Sequence, residues 1–293
     1  MRHSPAQPPL GAQPFDTEAS PTTIATEEGQ GAKRDLSSLE YWNARAASFG
    51  SSCGTSPYAS AFIAQLPLDE GDTVLDMGCA AGTLALPLAR AGHTVYGCDF
   101  SPRMLERLKQ GADAEDLPIK PTLMSWEDDW SSFGFEEDSV DVAVASRSLM
   151  LSSLAEALDK LDRTARKAAA VTVSGGLVPL MDPRLMEYLG RDVPTAHAHA
   201  DVVTHLVARS RYPHLSYIPT KRPMRFTEWD FALLELEKLA GRKPLDKQER
   251  TRFEAYAKNH FRVEKQGGTE VYQLDYPLTC PWALITWSTK GDL

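Results

Sequence analysis

An aspartate closes an apolar run and opens a loop of small residues in Val74-Leu75-Asp76-Met77-Gly78-Cys79-Ala80-Ala81-Gly82-Thr83. Small residues let a ligand approach the backbone closely, and the start of the next helix offers unpaired N–H groups. Dinucleotide-binding folds also place glycines at such a turn. Their spacing is G-x-G-x-x-G, however, and an acid at the loop entrance repels pyrophosphate. Asp76 instead suits a ligand that carries an ammonium beside a carboxylate. The alternative is a plain tight turn between strand and helix. A second acid follows one strand–helix unit later, in Val95-Tyr96-Gly97-Cys98-Asp99-Phe100-Ser101. A carboxylate at that strand end can accept hydrogen bonds from both hydroxyls of a ribose. Asp before Ser-Pro is also an ordinary helix start, and the two roles are compatible, with Ser101 as cap and Asp99 facing the crevice.

Acids at strand ends need strands, and the pattern supplies them. The run Thr73 to Asp76 is the first strand, followed by a helix from Gly82 to Ala91 and a strand from Thr94 to Cys98. A helix from Pro102 to Gln110 leads to strands Pro121 to Ser125 and Val140 to Ala145. A helix around Leu154 to Arg166 and a strand from Ala170 to Val173 complete the alternation. Short apolar strands separated by helices read as a doubly wound α/β sheet, mostly parallel and buried on both faces. Two helices are expected ahead of it. One carries Leu39, Trp42, Ala46 and Phe49 at helical spacing, and the other runs from about Tyr58 to Leu66.

Asp76 through Gly82, with Asp99-Phe100-Ser101 and Met104, resembles the class I S-adenosylmethionine-dependent methyltransferase family, in particular its small-molecule branch. The resemblance covers about Leu39 to Val173. It departs at Ala80, where the family's loop has its middle glycine. It implies a Rossmann-like fold that binds S-adenosyl-L-methionine, with Asp76, Gly78, Cys79, Ala80 and Gly82 at the methionine end. Asp99 would then take the ribose, with Phe100 and Met104 beside it. Ser125, Trp126 and Glu127 would stand at the adenine, and Ala145 and Ser146 near the sulfonium. Trp126 and Trp130 equally suit packing beneath the sheet edge. The segment Tyr41-Trp42-Asn43-Ala44-Arg45-Ala46 resembles the cap helix of quinone methyltransferases. In that reading Trp42 covers the cofactor and Arg45 meets its carboxylate; otherwise the helix simply packs on the core.

From Gly175 to about Pro223 the alternation lapses into a Pro-, His- and Arg-containing stretch, longer than an ordinary connection and read as a lid insertion. It holds His197, His199, Asp201, His205, Tyr212 and His214, in a chain with 7 histidines. His199 and His205 are candidates for an acceptor pocket. His197, His199 and Asp201 fit no strong metal motif and are equally readable as structural or solvated. Arg147 stands where the family's acceptor and cofactor sites meet and suits either an anionic acceptor or a structural ion pair. Beyond the insertion, helices over Thr227 to Leu239 and Asp246 to Lys258 precede strands Glu270 to Tyr276 and Trp282 to Trp287, expected to close the sheet with an antiparallel edge.

The resulting organisation is a disordered tail over 1–34, cap helices over 35–68, a cofactor-binding core over 69–174, a lid and acceptor insertion over 175–225, and C-terminal helices and closing strands over 226–293. The 31 Lys and Arg against 40 Asp and Glu give a formal charge of -9, which disfavours nucleic acid as partner. A small-molecule methyl acceptor is the expected partner. The rivals are an RNA or protein methyltransferase, kept open by the scattered Arg209, Arg211, Lys221, Arg222 and Arg225, and a binding protein without transfer activity. Cys53, Cys79, Cys98 and Cys280 lack paired spacing and read as reduced packing residues. No apolar stretch approaches the roughly 20 residues of a membrane span, so a cytoplasmic location is expected.

Overall fold

The computed structural model describes residues 38–46, 56–149, 153–177, 181–241, 243–266 and 268–291. The tail expected over 1–34, together with Phe49 and Cys53, lies outside them. Helices α1 (Leu39–Arg45) and α2 (Pro57–Ile63) lead into β1 (Thr73–Met77), α3 (Ala85–Arg90), β2 (Thr94–Asp99), α4 (Pro102–Ala114), β3 (Ile119–Leu123), β4 (Val140–Ser146), α5 (Leu154–Thr164) and β5 (Ala165–Ser174). Then come β6 (Gly176–Leu177), α6 (Pro183–Leu189), β7 (Thr195–Ala196), α7 (Ala198–Ala208), β8 (His214–Arg222), β9 (Arg225–Phe226), α8 (Trp229–Glu237), α9 (Lys247–His260), β10 (Phe261–Gln266), β11 (Thr269–Leu274) and β12 (Leu278–Ser288).

The main sheet has the order β3-β2-β1-β4-β5-β12-β8. Strands β1 to β5 pair in parallel, whereas β12 is antiparallel to both β5 and β8. Each face buries its own layer. Leu75, Ala143 and Val171 pack with Leu158 and Leu161 of α5 and with Val202 and Leu206 of α7. Val74, Val142 and Leu284 pack with Phe62 of α2, Leu88 of α3 and Leu108 of α4. Burial on both faces is why these strands read as continuous apolar runs. The chain leaves β1 toward one side of the sheet and reaches β4 on the other. The carboxyl ends of β1 and β4 therefore flank the switch point where such sheets bind ligands.

The stretch from Gly175 onward divides between two cores. Helix α7 buries Val202 and Leu206 against the sheet, and β8 forms the sheet's edge. Helix α6 leaves the sheet and packs with α8, α9 and a three-stranded antiparallel sheet, β10-β11-β9, around Leu185, Leu236, Phe253 and Leu274. The strand expected over Glu270 to Tyr276 therefore does not close the main sheet. It is β11, and its partners are β10 and β9. This second unit leaves the chain at the carboxyl ends of β5 and β8, which is the end of the sheet that carries the switch point. Among the described residues no helix is long and apolar enough to cross a membrane.

One ion pair clamps the second unit. Arg191 Nε and Nη2 donate to Glu249 Oε1 and Oε2, both at 2.8 Å, and the remaining guanidinium N–H groups reach the carbonyls of Ala240, Lys243 and Pro244. The hydrogen bond from Arg191, followed by the Asp246 amide, holds the Glu249 pKa down at about 2. A depressed carboxylate pKa contributes stability above its ordinary value near 4.5, and that contribution fades as pH falls toward 2. Arg191→Ala is expected to lower the melting temperature and to flatten this loss between pH 4.5 and 2, read by circular dichroism on both proteins.

Candidate functional site

The loop after β1 is tied to the end of β2: the Gly78 and Cys79 amides both donate to the Cys98 carbonyl, at 2.8 and 3.0 Å. Gly78 has φ +76° and lies so close to the turn after β4 that a Cβ there would sit 2.3 Å from Ser148 Cβ. That turn is itself fixed by Ser148 Oγ donating to the Met77 carbonyl at 2.9 Å. Gly82, at φ +94°, packs against Leu108 and Leu86. Between the two glycines Ala80 holds φ +48°, a left-handed conformation that costs a non-glycine residue about 1–2 kcal/mol. This is the backbone reason for a glycine at that position of the family's loop.

The strain at Ala80 aims its amide. Ala80 N–H donates to Asp99 Oδ2 at 2.9 Å, and Ser101 N–H donates to Asp99 Oδ1 at 2.8 Å. Burial raises the Asp99 pKa, and the amides of Ser101, Ala80 and Phe100 offset part of the rise. With two lone-pair sites on each oxygen, the carboxylate keeps capacity for further donors. Ser101 caps α4 by accepting from Met104 N–H at 3.2 Å, and its hydroxyl donates to Asn43 Oδ1 at 2.8 Å. That bond ties α1 to the mouth of the site. Trp42 is half-buried on α1 with its ring edge-on to Tyr41. Phe100 is half-buried, and Met104 is buried in the first turn of α4.

Asp76 is different. It is 1% exposed, and neither carboxylate oxygen has a hydrogen-bond partner among the described residues. Burial first and the Asp99 charge second push its pKa up to about 7; the Ala85 amide offsets a little without reaching hydrogen-bond geometry. An unpartnered buried carboxylate is an unfavourable arrangement and marks a place where a donor-bearing cation would be welcome.

On the far side of the crevice, Ser125 N–H donates to Asp128 Oδ2 at 2.7 Å, and Ser125 Oγ bridges to Glu127 Oε2 at 3.0 Å. Trp126 lies with its ring 5.4 Å from that of fully buried Trp130 and packs on the core, leaving its indole N–H without an acceptor among the described residues. Ala145 is buried in β4. Ser146 Oγ lies 2.8 Å from the Tyr58 hydroxyl, which also contacts Thr172 Oγ1 at 2.7 Å. From the sequence, Tyr58 reads as a core aromatic at helical spacing from Phe62. The available signal is the pair of hydroxyls on adjacent strands, Ser146 at the end of β4 and Thr172 near the end of β5. Arg147 follows in a left-handed conformation, φ +57°, with its guanidinium 4.2 Å from the Tyr58 ring centre and 5.7 Å from that of Trp282.

The histidines do not assemble. His205 Nε2 contacts Asp159 Oδ1 at 2.9 Å, where Arg209 also pairs, and Arg211 pairs with Asp162 at 2.8 Å. Two of the scattered arginines are thus locally neutralised. Tyr212 and His214 stand at the amino end of β8, the opposite end of the sheet from the crevice. Only His197 and His199, at the start of α7, lie toward the crevice end; the His199 ring is 6.2 Å from that of Tyr217. No group of three His, Cys, Asp or Glu side chains among the described residues is placed to hold a metal ion.

A family model described as a methyltransferase domain matches residues 74–176, the span from β1 to the end of β5 that carries Asp76 and Asp99. An uncharacterized protein of Haemophilus influenzae is 30% identical over 167 residues, 57% of this chain and 60% of the relative. A 2-phytyl-1,4-naphtoquinone methyltransferase of Trichormus variabilis is 36% identical over 108 residues, 35% of this chain and 46% of the relative. The chain thus spans about half of these relatives' own lengths. The crystal structure of a putative methyltransferase from Bacillus halodurans covers 79% of this chain and 98% of its own at a TM-score of 0.50 and 10% identity, a likeness of fold alone.

Two outcomes follow from the loop. Ala80→Gly is expected to stabilise the protein by about 0.5–1 kcal/mol, the relief of left-handed strain less the added unfolded-state entropy, measured by urea unfolding. Because the folded-state pKa of Asp76 is raised, its contribution falls as pH climbs from about 4 to about 7. Asp76→Asn should therefore be more stable than wild type at pH 8, by about 4 kcal/mol, and lose that advantage by pH 4; melting curves at both pH values check the crossover.

Proposed function

We propose that this chain, whose residues 74–176 match a family model described as a methyltransferase domain, is a class I methyltransferase that binds S-adenosylmethionine in the crevice at β1, β2 and β4 and methylates a small molecule there. The observation that carries the reading is the buried Asp76 carboxylate with no partner, set behind a loop whose backbone is held open by Gly78 and Gly82. These residues fit the cofactor: an ammonium would supply the donors that both Asp76 oxygens lack, and it would remove the cost of the buried charge. Asp99 would accept from the ribose hydroxyls on the lone pairs left by the Ala80 and Ser101 amides. Ser125, Trp126 and Glu127 would border the adenine, and Trp42 would close over it on α1.

S-adenosylmethionine supplies a methyl group already activated by its sulfonium, so the protein's own task is to align the acceptor and exclude water. Ser146 and Arg147, at the end of the strand beside β1, border that acceptor side. Tyr58 keeps both in place, through its hydroxyl to Ser146 and its ring under Arg147. The second unit rises from the same end of the sheet and would wall the acceptor from solvent. The naphtoquinone methyltransferase relative supports a small molecule over a macromolecule as acceptor. Free Cys79, Cys98 and Cys280 support the cytoplasm as the compartment.

Titration calorimetry with S-adenosylmethionine and S-adenosylhomocysteine tests the reading. Wild type is expected to bind both. Asp99→Ala should weaken binding at least about tenfold, as expected for hydrogen bonds to a charged group. No binding by wild type, or equal binding by Asp99→Ala, sinks the proposal. Methyl-labelled cofactor incubated with a cell extract then locates the acceptor class: label is expected in the low-mass fraction, and label in precipitated RNA or protein would favour the macromolecular rival.

A further inference from the structure

The second unit carries a pocket of about 560 Å³, open to solvent, between α6 and α9 and bordered by the residues that follow β11. Its walls are rings. Tyr188 of α6 lies 5.1 Å from Tyr256 of α9, and Tyr256 stacks on His260 one turn later at 4.2 Å, with 37° between the planes. Tyr276 faces His260 from the third side at 5.7 Å. The rings are locked from below: the Tyr256 and Tyr276 hydroxyls are 2.5 Å apart, and Tyr276 donates onward to Oδ2 of Asp182, itself 2% exposed. A wall anchored through a buried acid does not need to rearrange to receive a flat ligand.

The cation of this cavity is held by a ring rather than by an acid. Arg184 lies with its guanidinium 4.3 Å from the Tyr276 ring centre, and no carboxylate pairs with it among the described residues. Stacking fixes the plane of the guanidinium while leaving its fork of N–H donors available, the arrangement that suits a planar carboxylate. Two acids limit the charge such a ligand can carry. Asp275 Oδ1 is engaged by His260 Nδ1 at 3.1 Å, and Glu187 lies one helical turn from Arg184. Among the described residues the wall therefore has one cation outside an ion pair and no positive excess, which disfavours a phosphate dianion. None of these residues belongs to the crevice.

We propose that this cavity is a binding site for a small planar aromatic carboxylate, its ring against the tyrosines and its carboxylate on Arg184. Saturation-transfer NMR on the full chain with 1-naphthoate, 1-naphthyl phosphate and benzamidine as probes tests it. Saturable binding of 1-naphthoate, tighter than that of the other two, is expected. Arg184→Ala should weaken it at least about tenfold, and Arg184→Lys several-fold through loss of the fork. Tyr188→Ala, at an exposed position that leaves the fold intact, should also weaken it. Absence of saturable naphthoate binding, equal binding by Arg184→Ala, or preference for the phosphate or the amidine overturns the proposal. Asp76→Asn, which would weaken cofactor binding in the crevice, should bind naphthoate as wild type does; loss there would place the ligand in the crevice and overturn the assignment.

Discussion

A carboxylate buried without a partner is among the least favourable arrangements a folded chain can carry, and much of this molecule's crevice end is organised around one. Asp76 is held at the end of β1 by strands packed on both faces, so it cannot turn outward to water. Its neighbour Asp99 adds like charge. The protein relieves Asp99 with the Ala80 and Ser101 amides and leaves Asp76 unrelieved. Such asymmetry between two acids of one site is what separates a charge kept for a ligand from a charge that merely survives in a core.

The cost spreads into the backbone. Directing the Ala80 amide at Asp99 requires a left-handed residue between two glycines that packing against Ser148 and Leu108 keeps free of side chains. The same small region is tied to α1 through Ser101 and Asn43 and to the turn after β4 through Ser148 and the Met77 carbonyl. Geometry at the crevice is thus shared among four elements, and strain in the loop is sustained by the rigidity of the sheet behind it.

How much of this was legible in the sequence depended on burial. Strands β1, β2, β4 and β5 announce themselves because both faces are covered and most positions are apolar. Asp76, Asp99 and the small-residue loop stand out against that background as the polar interruptions. Edge strand β8 does not, since Leu215 and Tyr217 are exposed, only Ile218 is buried, and Pro219 interrupts the run. Helix α7 is masked by its polar residues, His199, Asp201 and His205, while its sheet-facing pair, Val202 and Leu206, is brief. For β11 the sequence shows a strand but not its partner: alternation fixes which face is apolar and says nothing about which sheet receives it. Tyr58 was invisible for a related reason, because its role lies in a hydroxyl that meets residues 88 and 114 positions away.

On this reading Asp76 is protonated at mildly acid pH before ligand binds and becomes a paired carboxylate when the ligand's ammonium arrives. Calorimetry of S-adenosylhomocysteine binding in buffers of differing ionisation enthalpy counts the protons exchanged. With the Asp76 pKa at about 7 in the empty state, binding at pH 6 should release about one proton, and the release should shrink as pH rises past 7. Binding at pH 6 without proton release, or release that persists in Asp76→Asn, would contradict the account.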